Sequence, residues 1–488
     1  MIRLGVQKRM GNCTVSRTYL LLTGVLMCVI IFLWKAGQDN DVGMFWHLAD
    51  AHLRLAYLEG LDSENQFGPK NNEYLVRFVV EKCKYEMSQG HKPDFVIWGG
   101  DIGPHKNLTP EQLIQTIRWF SDRLNEVFEN NSIPIFPTIG NHDVFRKNSS
   151  LSPINDLVET DLCRRLATDD GLWKKWIDRA DESLAKYPDI PRASFSQGCF
   201  HSMLIERKQK ILLINLNSII WITTDLIVRP FEEDPFGQFQ WLQSSLLWAR
   251  KHKAKVFIVT HKPPGNIVFS PVTSYQFIRE FNDRLVSLLR KFSDIVVATF
   301  TAHEHIDSFR VLLDEDNHPA GMLLSAPSID SSRLGFFGTP DTRIRLYKYS
   351  RRSAGILDYS QFWLHLTHDN PVWEKDYEFR QLYNTRDISP LKFATLLDRF
   401  MVDNGAESPW EIYWDHQLGH NPDVIGVIGE VDGRCPHIQS NCRCRRICAM
   451  RHLIISNLEQ CYRICNETKY SQLRTIRELS SMYSLSPN

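Results

Sequence analysis

The sequence predicts an α/β domain, and two observations support that prediction. From Met44 to about Tyr349, short apolar or β-branched runs alternate with stretches of helical periodicity, the pattern of strands connected by helices. Several of these predicted strands lead directly into polar residues. In an α/β sheet, ligands bind outside the carboxyl ends of the strands, so the same pattern also predicts where a site would form.

A helix from Thr109 to Phe128 is the clearest single element of the predicted domain. Thr109 is the predicted N-cap, Pro110 opens the helix, and Gln112 completes a capping box. One apolar stripe runs along it, formed by Leu113, Ile117, Phe120, Leu124 and Val127. The strands predicted after it are Ile133–Phe136, Ser202–Glu206, Ile211–Asn215, Val256–Val259, Ile295–Phe300, Gly321–Ser325 and one near Ile344–Tyr349. We assign the stripe to core packing.

Residue types that bind metals follow five of the predicted strands. Each strand is a short apolar run that leads straight into a polar turn. In chain order the residues are Asp50 and His52, then Asp101, then Asn141 and His142, then His261, and finally His303 and His305. One histidine after a strand is usually a core or surface residue, but five strand ends in series predict a metal centre.

This series resembles the signature of the calcineurin-like metallophosphoesterases, which reads D-x-H, G-D, G-N-H-[D/E], a lone H, and G-H-x-H. Ala302 is the one departure, because it stands where the family usually has glycine. Alanine is small, so we expect a slight backbone adjustment and intact ligands. The resemblance implies a four-layer α-β-β-α sandwich, in which two mixed sheets lie between helices.

The resemblance also implies two divalent cations bridged by the Asp101 carboxylate. It divides the other ligands into two sets: Asp50, His52 and His305 for one metal, and Asn141, His261 and His303 for the other. Mixed imidazole and carboxylate ligands suit zinc, and the ligand types also allow manganese or iron. Such a metal pair lowers the pKa of a shared water and neutralises phosphoryl oxygens, which is a general solution to phosphoester hydrolysis.

Two further histidines, His142 and His105, are not needed as ligands. Each is a candidate to hold a phosphoryl oxygen or to protonate the departing alkoxide. His105 lies four residues after Asp101, and this G-D-x-x-x-H arrangement resembles the acid sphingomyelinase branch of the superfamily. The alternative is that His105 is simply a loop residue.

Three more stretches resemble the acid sphingomyelinase-like phosphodiesterases, and the likeness extends over about residues 44 to 466. They are Asp234–Leu242 (DPFGQFQWL), Ile214–Asn217 (INLN) and His261–Gly265 (HKPPG). Cys448 and Cys461 resemble the paired C-terminal cysteines of that family, which implies a disulfide between them. Only ten residues separate Trp34 from the first strand, so we expect the saposin-type domain of true acid sphingomyelinase to be missing.

The function implied is a zinc-dependent phosphodiesterase that cleaves a small phosphodiester or a nucleotide phosphoanhydride. The alternatives are a membrane-anchored endopolyphosphatase, which shares the same site, and a true sphingomyelin phosphodiesterase. A scaffold protein that kept the fold without catalysis is the rival of a different class, but such proteins usually lose ligands, and all seven are present here. Equal numbers of acidic and basic side chains, 57 of each, give no reason to expect nucleic acid as a partner.

The N-terminal region predicts export. Residues 18–34 form an apolar run without charge, and four basic residues precede it, namely Arg3, Lys8, Arg9 and Arg17. This asymmetry predicts a cytosolic tail at residues 1–17 and a signal-anchor at 18–34, with a cleaved signal peptide as the alternative. Either way, the rest of the chain would lie in the lumen or outside the cell, attached to the membrane if the segment is uncleaved.

Cysteines and glycosylation sequons agree with export. Six cysteines lie between Cys435 and Cys465, a density typical of a disulfide-linked segment, although their spacing also allows a zinc site. The predicted glycan acceptors are Asn107, Asn130, Asn148 and Asn466. We predict a catalytic domain at residues 44–349, followed by a helical, cysteine-rich subdomain at 350–488.

Overall fold

The strands that the structure describes are distributed over two sheets of six. A computed structural model describes residues 41–55, 72–105, 108–129, 132–144, 161–177, 191–206, 210–222, 233–268, 274–331, 341–366, 371–403, 405, 407–417 and 441–467. The strands are β1 (Val42–Leu48), β2 (Phe95–Trp98), β3 (Ile135–Pro137), β4 (His201–Glu206), β5 (Ile211–Leu216), β6 (Lys255–Thr260), β7 (Val296–Thr301), β8 (Ser308–Leu313), β9 (Pro319–Ser325), β10 (Thr342–Ser350), β11 (Ile356–His365) and β12 (Val372–Glu378).

Helices cover the outer faces of both sheets. They are α1 (Asn72–Ser88), α2 (Pro110–Phe128), α3 (Leu162–Thr168), α4 (Asp170–Trp176), α5 (Pro191–Gly198), α6 (Gln238–Lys251), α7 (Arg279–Lys291), α8 (Phe379–Leu382), α9 (Pro390–Val402), α10 (Pro409–Gln417), α11 (Asn441–Arg451) and α12 (Ile455–Glu467). The capping box predicted for α2 is present, because Thr109 and Gln112 each accept a hydrogen bond from the other's backbone N–H. Phe120 of α2 packs on Trp98 of β2, with ring centroids 5.4 Å apart.

The order of the strands brings the predicted ligands to one edge. The first sheet runs β12-β11-β10-β1-β2-β3 and the second β4-β5-β6-β7-β9-β8. β1, β2 and β3 are parallel, as are β5, β6, β7 and β9. Because parallel strands end on the same side of a sheet, the loops after β1, β2 and β3 lie together, and so do those after β6, β7 and β9.

Aromatic side chains fill the space between the two sheets. Phe45 of β1 is fully buried and lies against Phe257 of β6 and Phe300 of β7, at centroid distances of 6.0 and 5.2 Å. Truncating a phenylalanine packed in this way costs about 3–5 kcal/mol of folding free energy. Two sheets packed face to face with helices outside confirm the four-layer sandwich that the family resemblance implies.

The predicted boundary between a catalytic domain at 44–349 and a helical subdomain at 350–488 is wrong in one respect. β11 and β12 continue the first sheet antiparallel to β10, so the sheet extends to Glu378. β12 lies at the sheet edge and reads VWEKDYE, with charged residues exposed on it, so it lacks the alternation that marks a half-buried strand. Helices dominate from Phe379, and α9 packs against β8 and β9.

Two disulfides join the last two helices. Cys444 pairs with Cys465, and Cys448 pairs with Cys461, as the resemblance implied for the second pair. Each helix supplies its two cysteines four residues apart, so both lie on the same face of the helix. These cysteines therefore form disulfides rather than the zinc site that their spacing also allowed. A third disulfide, Cys163–Cys199, links α3 to the residue after α5.

Several predictions fall on residues outside the described ranges: the tail at 1–17, the apolar segment 18–34, and the sequons at Asn107, Asn130 and Asn148. Among the helices that the structure describes, none combines the length and the apolar character needed to cross a membrane. Asn466 is described, and its side chain is exposed near the end of α12.

Candidate metal centre

Five of the seven predicted ligands have backbone conformations in the left-handed region. The φ angles are 53° at Asp50, 42° at His52, 55° at Asp101, 72° at His303 and 60° at His305. A non-glycine residue in this region costs about 1 kcal/mol or more, and it persists only where its surroundings impose it. Backbone hydrogen bonds between the loops do so here: the N–H of Asp50 donates to the carbonyl of Gly100, and that of His52 to the carbonyl of Asp101. The ligand-bearing strand ends are therefore strained, and contacts between the loops hold them in that conformation.

The first predicted ligand set lies together and is buried. His52 Nε2 is 3.0 Å from His305 Nε2, and His305 Nε2 is 3.6 Å from Asp50 Oδ1. His52 Nδ1 is 3.1 Å from the carbonyl oxygen of Gly103. Because a carbonyl can only accept, Nδ1 carries the proton, and the lone pair of Nε2 faces the other ligands.

The second predicted set lies next to the first and shares Asp101. Asp101 Oδ2 is 3.2 Å from His261 Nε2 and 3.7 Å from His52 Nε2, so one oxygen atom faces both sets. His261 Nε2 is also 3.2 Å from Asn141 Oδ1, and its Nδ1 is 2.8 Å from the carbonyl oxygen of Gly99. A ligand atom of His303 lies within 4.8 Å of those of Asp101 and His261. The structure thus brings all seven predicted residues to one place.

Asp143 holds the loops around Asp101 together, a role that the motif analysis did not assign. Its carboxylate accepts hydrogen bonds from the backbone N–H groups of Asp101, Ile102, Gly103 and Gly140, at 2.7 to 2.9 Å. It is fully buried. Asp143 stands at the [D/E] position of the G-N-H-[D/E] signature, which marks the residue but does not show what its side chain does.

The site concentrates negative charge away from water. Burial, together with the charges of Asp101 and Asp143, raises the pKa of Asp50 well above its usual value, although His261 opposes this. Burial raises the pKa of Asp143 to about 6, and the charge of Asp101 adds to this effect. Burial lowers the pKa of His305 to about 4 and that of His52 well below its usual value. Neutral imidazoles such as these are in the protonation state that binds a cation. His261 differs, because the effect of burial is outweighed by the charge of Asp101 and a hydrogen bond to it, which raise its pKa to about 9, so this imidazole must release a proton when a cation binds.

The family model described as calcineurin-like phosphoesterase matches residues 43–307, which is more than half of the chain. The chain belongs to this family. Family membership makes the protein a hydrolase of phosphoric esters, and its two ligand sets lie where the family's dimetal centre is expected.

Curated relatives align with three quarters or more of this phosphoesterase. Cyclic GMP-AMP phosphodiesterase SMPDL3A of Bos taurus is 25% identical over 474 residues, which are 90% of this chain and 97% of the relative. Acid sphingomyelinase-like phosphodiesterase 3b of Homo sapiens is 26% identical over 480 residues, 92% of this chain and 96% of the relative. Sphingomyelinase phosphodiesterase C of Dictyostelium discoideum is 28% identical over 407 residues, 76% of this chain and 85% of the relative.

The donor set of this phosphoesterase fits two divalent cations. Ligand bonds of about 2.0–2.2 Å, as zinc makes to nitrogen and oxygen, place neighbouring donors about 3.3–3.6 Å apart in a tetrahedron. The distances between the donor atoms of the first set, 3.0 and 3.6 Å, bracket that range. Asp50 Oδ1 is buried and accepts no hydrogen bond from the described residues, so it has the free lone pairs that a ligand needs. Ala302 is buried beside Ala49 and Ala326 and leaves the ligands in place.

The two non-ligand histidines of this phosphoesterase lie against the first ligand set. The His105 ring stacks on the His52 ring at a centroid distance of 3.9 Å, and the His142 ring meets the His105 ring edge-on at 4.6 Å. The backbone N–H of His142 donates to Asp101 Oδ1 at 2.7 Å. His105 is also 3.5 Å from a buried carboxylate, Asp330, which no motif pointed to.

Lys262 brings a positive charge to the second ligand set. Its ammonium lies 2.9 Å from His303 Nε2 and 3.2 Å from Gln276 Oε1. Lys262 follows the ligand His261 in the HKPPG turn, so its position was visible in the sequence, but nothing there showed that its side chain turns inward.

Proposed function

We propose that this phosphoesterase is a zinc-dependent phosphodiesterase of the acid sphingomyelinase-like group, with a small phosphodiester or a nucleotide as its substrate. The observation that carries the proposal is the pairing of two ligand sets through Asp101 Oδ2, with His105 and His142 packed against one of them. The acid sphingomyelinase-like and cyclic GMP-AMP phosphodiesterase names of its relatives support the same reaction class.

The chain's own residues supply binding and proton transfer. When bound, two divalent cations would supply a nucleophilic water at mild pH and positive charge for the phosphoryl oxygens. Asp50, His52 and His305 would hold one cation, Asn141, His261 and His303 the other, and Asp101 would contact both. His142 is half-buried, with its backbone fixed on Asp101, which suits it to hold a phosphoryl oxygen. His105 is half exposed, at 51%, and so can reach the oxygen of the leaving group and donate a proton to it.

A lumenal or extracellular location is part of the proposal. Three disulfides within the described residues support it, because disulfides persist in oxidising compartments. The apolar segment at 18–34 has four basic residues before it and only Lys35 directly after it, which supports an anchor whose catalytic part faces the lumen or the outside.

Cleavage of polyphosphate is the second candidate, and Lys262 is the observation that favours it. An ammonium beside the second ligand set attracts a substrate that carries additional phosphate groups and repels a cationic choline group. Lys262→Gln is expected to raise the KM for polyphosphate several-fold and to leave the KM for a monoanionic diester nearly unchanged. Equal effects on both substrates would contradict this role.

The test uses the full chain with sphingomyelin, ATP, ADP-ribose and polyphosphate as substrates, each with and without chelator. We expect chelator-sensitive cleavage of a soluble substrate and about two equivalents of zinc by metal analysis. Asp101→Asn and His303→Ala should lose metal and activity together, whereas His105→Ala should keep metal and lose turnover. Folded protein that holds no stoichiometric metal, or whose activity survives full metal removal, would refute the proposal.

A further inference from the structure

Asp330 is a fully buried carboxylate that lies outside the metal-binding motifs. It is in the loop that follows β9, and its neighbours Ser328 and Ile329 are buried as well. Its backbone N–H donates to the carbonyl of Asp50 at 2.8 Å, so the loop after β9 is joined to the loop after β1. A buried carboxylate is costly unless it is paired or hydrogen-bonded, so its partners indicate what it does.

One carboxylate oxygen of Asp330 fixes the side chain in place. Oδ1 accepts a hydrogen bond from Asn72 Nδ2 at 2.9 Å. Asn72 Nδ2 also lies 2.8 Å from the carbonyl oxygens of Ala51 and His52, so the amide is itself held by the ligand loop. The hydroxyl of Ser328 donates to the backbone carbonyl of Asp330 at 2.7 Å. Both the backbone and the first oxygen are therefore anchored, and this sets the direction of the second oxygen.

The second oxygen of Asp330 faces His105. Oδ2 lies 3.5 Å from His105 Nε2, and the carboxylate is fully buried while the imidazole is half exposed. The His105 ring is held on its other side by the His52 ring, which stacks on it at 3.9 Å. An otherwise exposed ring is thus held by a stacking contact on one side and faces a buried carboxylate on the other.

We infer that Asp330 is a positioning residue for His105. In this role Oδ2 accepts the Nε2–H when the two atoms close from 3.5 Å to hydrogen-bond distance, and Nδ1 is left as the nitrogen that can reach the substrate. This rests on the proposed function, in which His105 transfers a proton: the Nδ1–H bond breaks, an O–H bond forms on the leaving alkoxide, and the Nε2–H bond to Asp330 is retained. The same arrangement of a carboxylate behind an imidazole orients the ring in other hydrolases.

Asp330→Asn is the sharpest variant, because it preserves size and hydrogen bonding to Asn72 but presents an amide N–H to His105. An N–H group facing Nε2 disfavours the tautomer that the carboxylate selects. Asp330→Ala is the second variant and removes the contact altogether. Ile329→Val is the matched control, since it perturbs the same buried loop and removes none of the hydrogen bonds that hold Asp330.

The assay compares the hydrolysis of two diesters by the full-length, metal-loaded protein. The first has a nitrophenol leaving group, which departs without receiving a proton. The second has an alkyl alcohol leaving group, which must be protonated as it departs. For the alkyl diester we expect kcat to fall about 10- to 100-fold in Asp330→Asn, with KM within about twofold of wild type. For the nitrophenyl diester, the loss should be less than about threefold. His105→Ala should lose about 100-fold or more on the alkyl diester. The double variant His105→Ala/Asp330→Asn should have the same kcat as His105→Ala alone, because the two residues act as one unit.

Metal content by elemental analysis separates positioning from damage to the ligand set, and Asp330→Asn should retain wild-type metal. If both Asp330 variants match Ile329→Val on the alkyl diester while His105→Ala is impaired, the positioning role is wrong and the proposed function stands. Equal losses on both diesters, or loss of metal, would also overturn it. Metal-loaded wild-type protein that cleaves neither diester would instead overturn the proposed function and the inference with it.

Discussion

Gly140→Ala tests whether the position of Asp101 decides both metal binding and turnover. A Cβ atom on Gly140 would lie 2.1 Å from Asp101 Oδ1 and 2.3 Å from the backbone nitrogen of Asp101. Ordinary contacts begin at 3.4 Å, so the gap to the carboxylate oxygen must widen by about 1.3 Å. The backbone of Asp101 cannot move freely, because Asp143 holds the N–H groups of both residues. Rotation of the Asp101 side chain relieves only the first clash, so the backbone of Asp101 must also shift against the hydrogen bonds to Asp143, and the carboxylate leaves its present position.

The expected magnitudes follow from that displacement. Metal–ligand distances tolerate about 0.2 Å, so a shift of this size removes Asp101 as a shared ligand. Misplacement of a reacting group by about 1 Å costs about 100-fold in rate. Overpacking a tight site by one methyl group costs about 1–3 kcal/mol of folding free energy. We therefore expect kcat/KM to fall at least 100-fold while the protein remains folded.

Metal content, denaturant unfolding and diester hydrolysis are measured together, with Gly355→Ala as the control. Gly355 lies in the turn between β10 and β11, and a Cβ there would meet only Ser353 Oγ at 3.2 Å. The control should keep its metal and its activity. Gly140→Ala protein with full metal and near wild-type turnover would refute the placement of Asp101 at the centre of the site.

Two further predictions concern stability. His201 is buried between Phe136 and Phe195, neither ring nitrogen has a hydrogen-bond partner among the described residues, and burial lowers its pKa to about 3. Below about pH 6.5 the unfolded chain gains a proton at this residue and the folded chain does not, so the free energy of unfolding falls as the pH falls. In denaturant unfolding, His201→Phe should therefore raise the free energy of unfolding by about 2 kcal/mol more at pH 5 than at pH 7.5. Equal effects of the substitution at both pH values would contradict this. Replacing Cys444 and Cys465 by serine removes a disulfide between residues that are 21 apart in the chain, which should lower the free energy of unfolding by about 3 kcal/mol in the same assay. An unchanged denaturant midpoint would contradict a stabilising role for this disulfide.

Much of the fold was predictable because strands and ligands repeat one pattern. The runs before Asp50, Asp101 and His261 are mostly apolar, as buried parallel strands are, and each ligand follows its strand within three residues. Periodicity alone predicted an α/β domain, whereas the division into two sheets came from the family resemblance. Strand order is a long-range property, and the antiparallel strands β11 and β12 have no ligand at their ends to mark them.

The parts of the site that escaped prediction act through contacts between distant segments. Asp330 is 225 residues from His105 in the chain and nevertheless lies beside it, because both loops leave the same edge of their sheets. Asn72 is held at the start of α1 and reaches the same carboxylate. A lone aspartate after an apolar strand resembles many surface turns, so its burial could be found only from the packed structure.

The charges of the site indicate why these carboxylates are buried together. Asp50, Asp101, Asp143 and Asp330 are all buried, and the imidazoles of His52, His303 and His305 are kept neutral by burial. Asp143 is compensated by four backbone N–H groups and Asp330 by Asn72 and His105, whereas Asp50 and Asp101 face the ligand histidines. Two divalent cations would carry as much positive charge as the four carboxylates carry negative. The carboxylates behind the ligands therefore contribute to the field that holds the cations, in addition to positioning the loops.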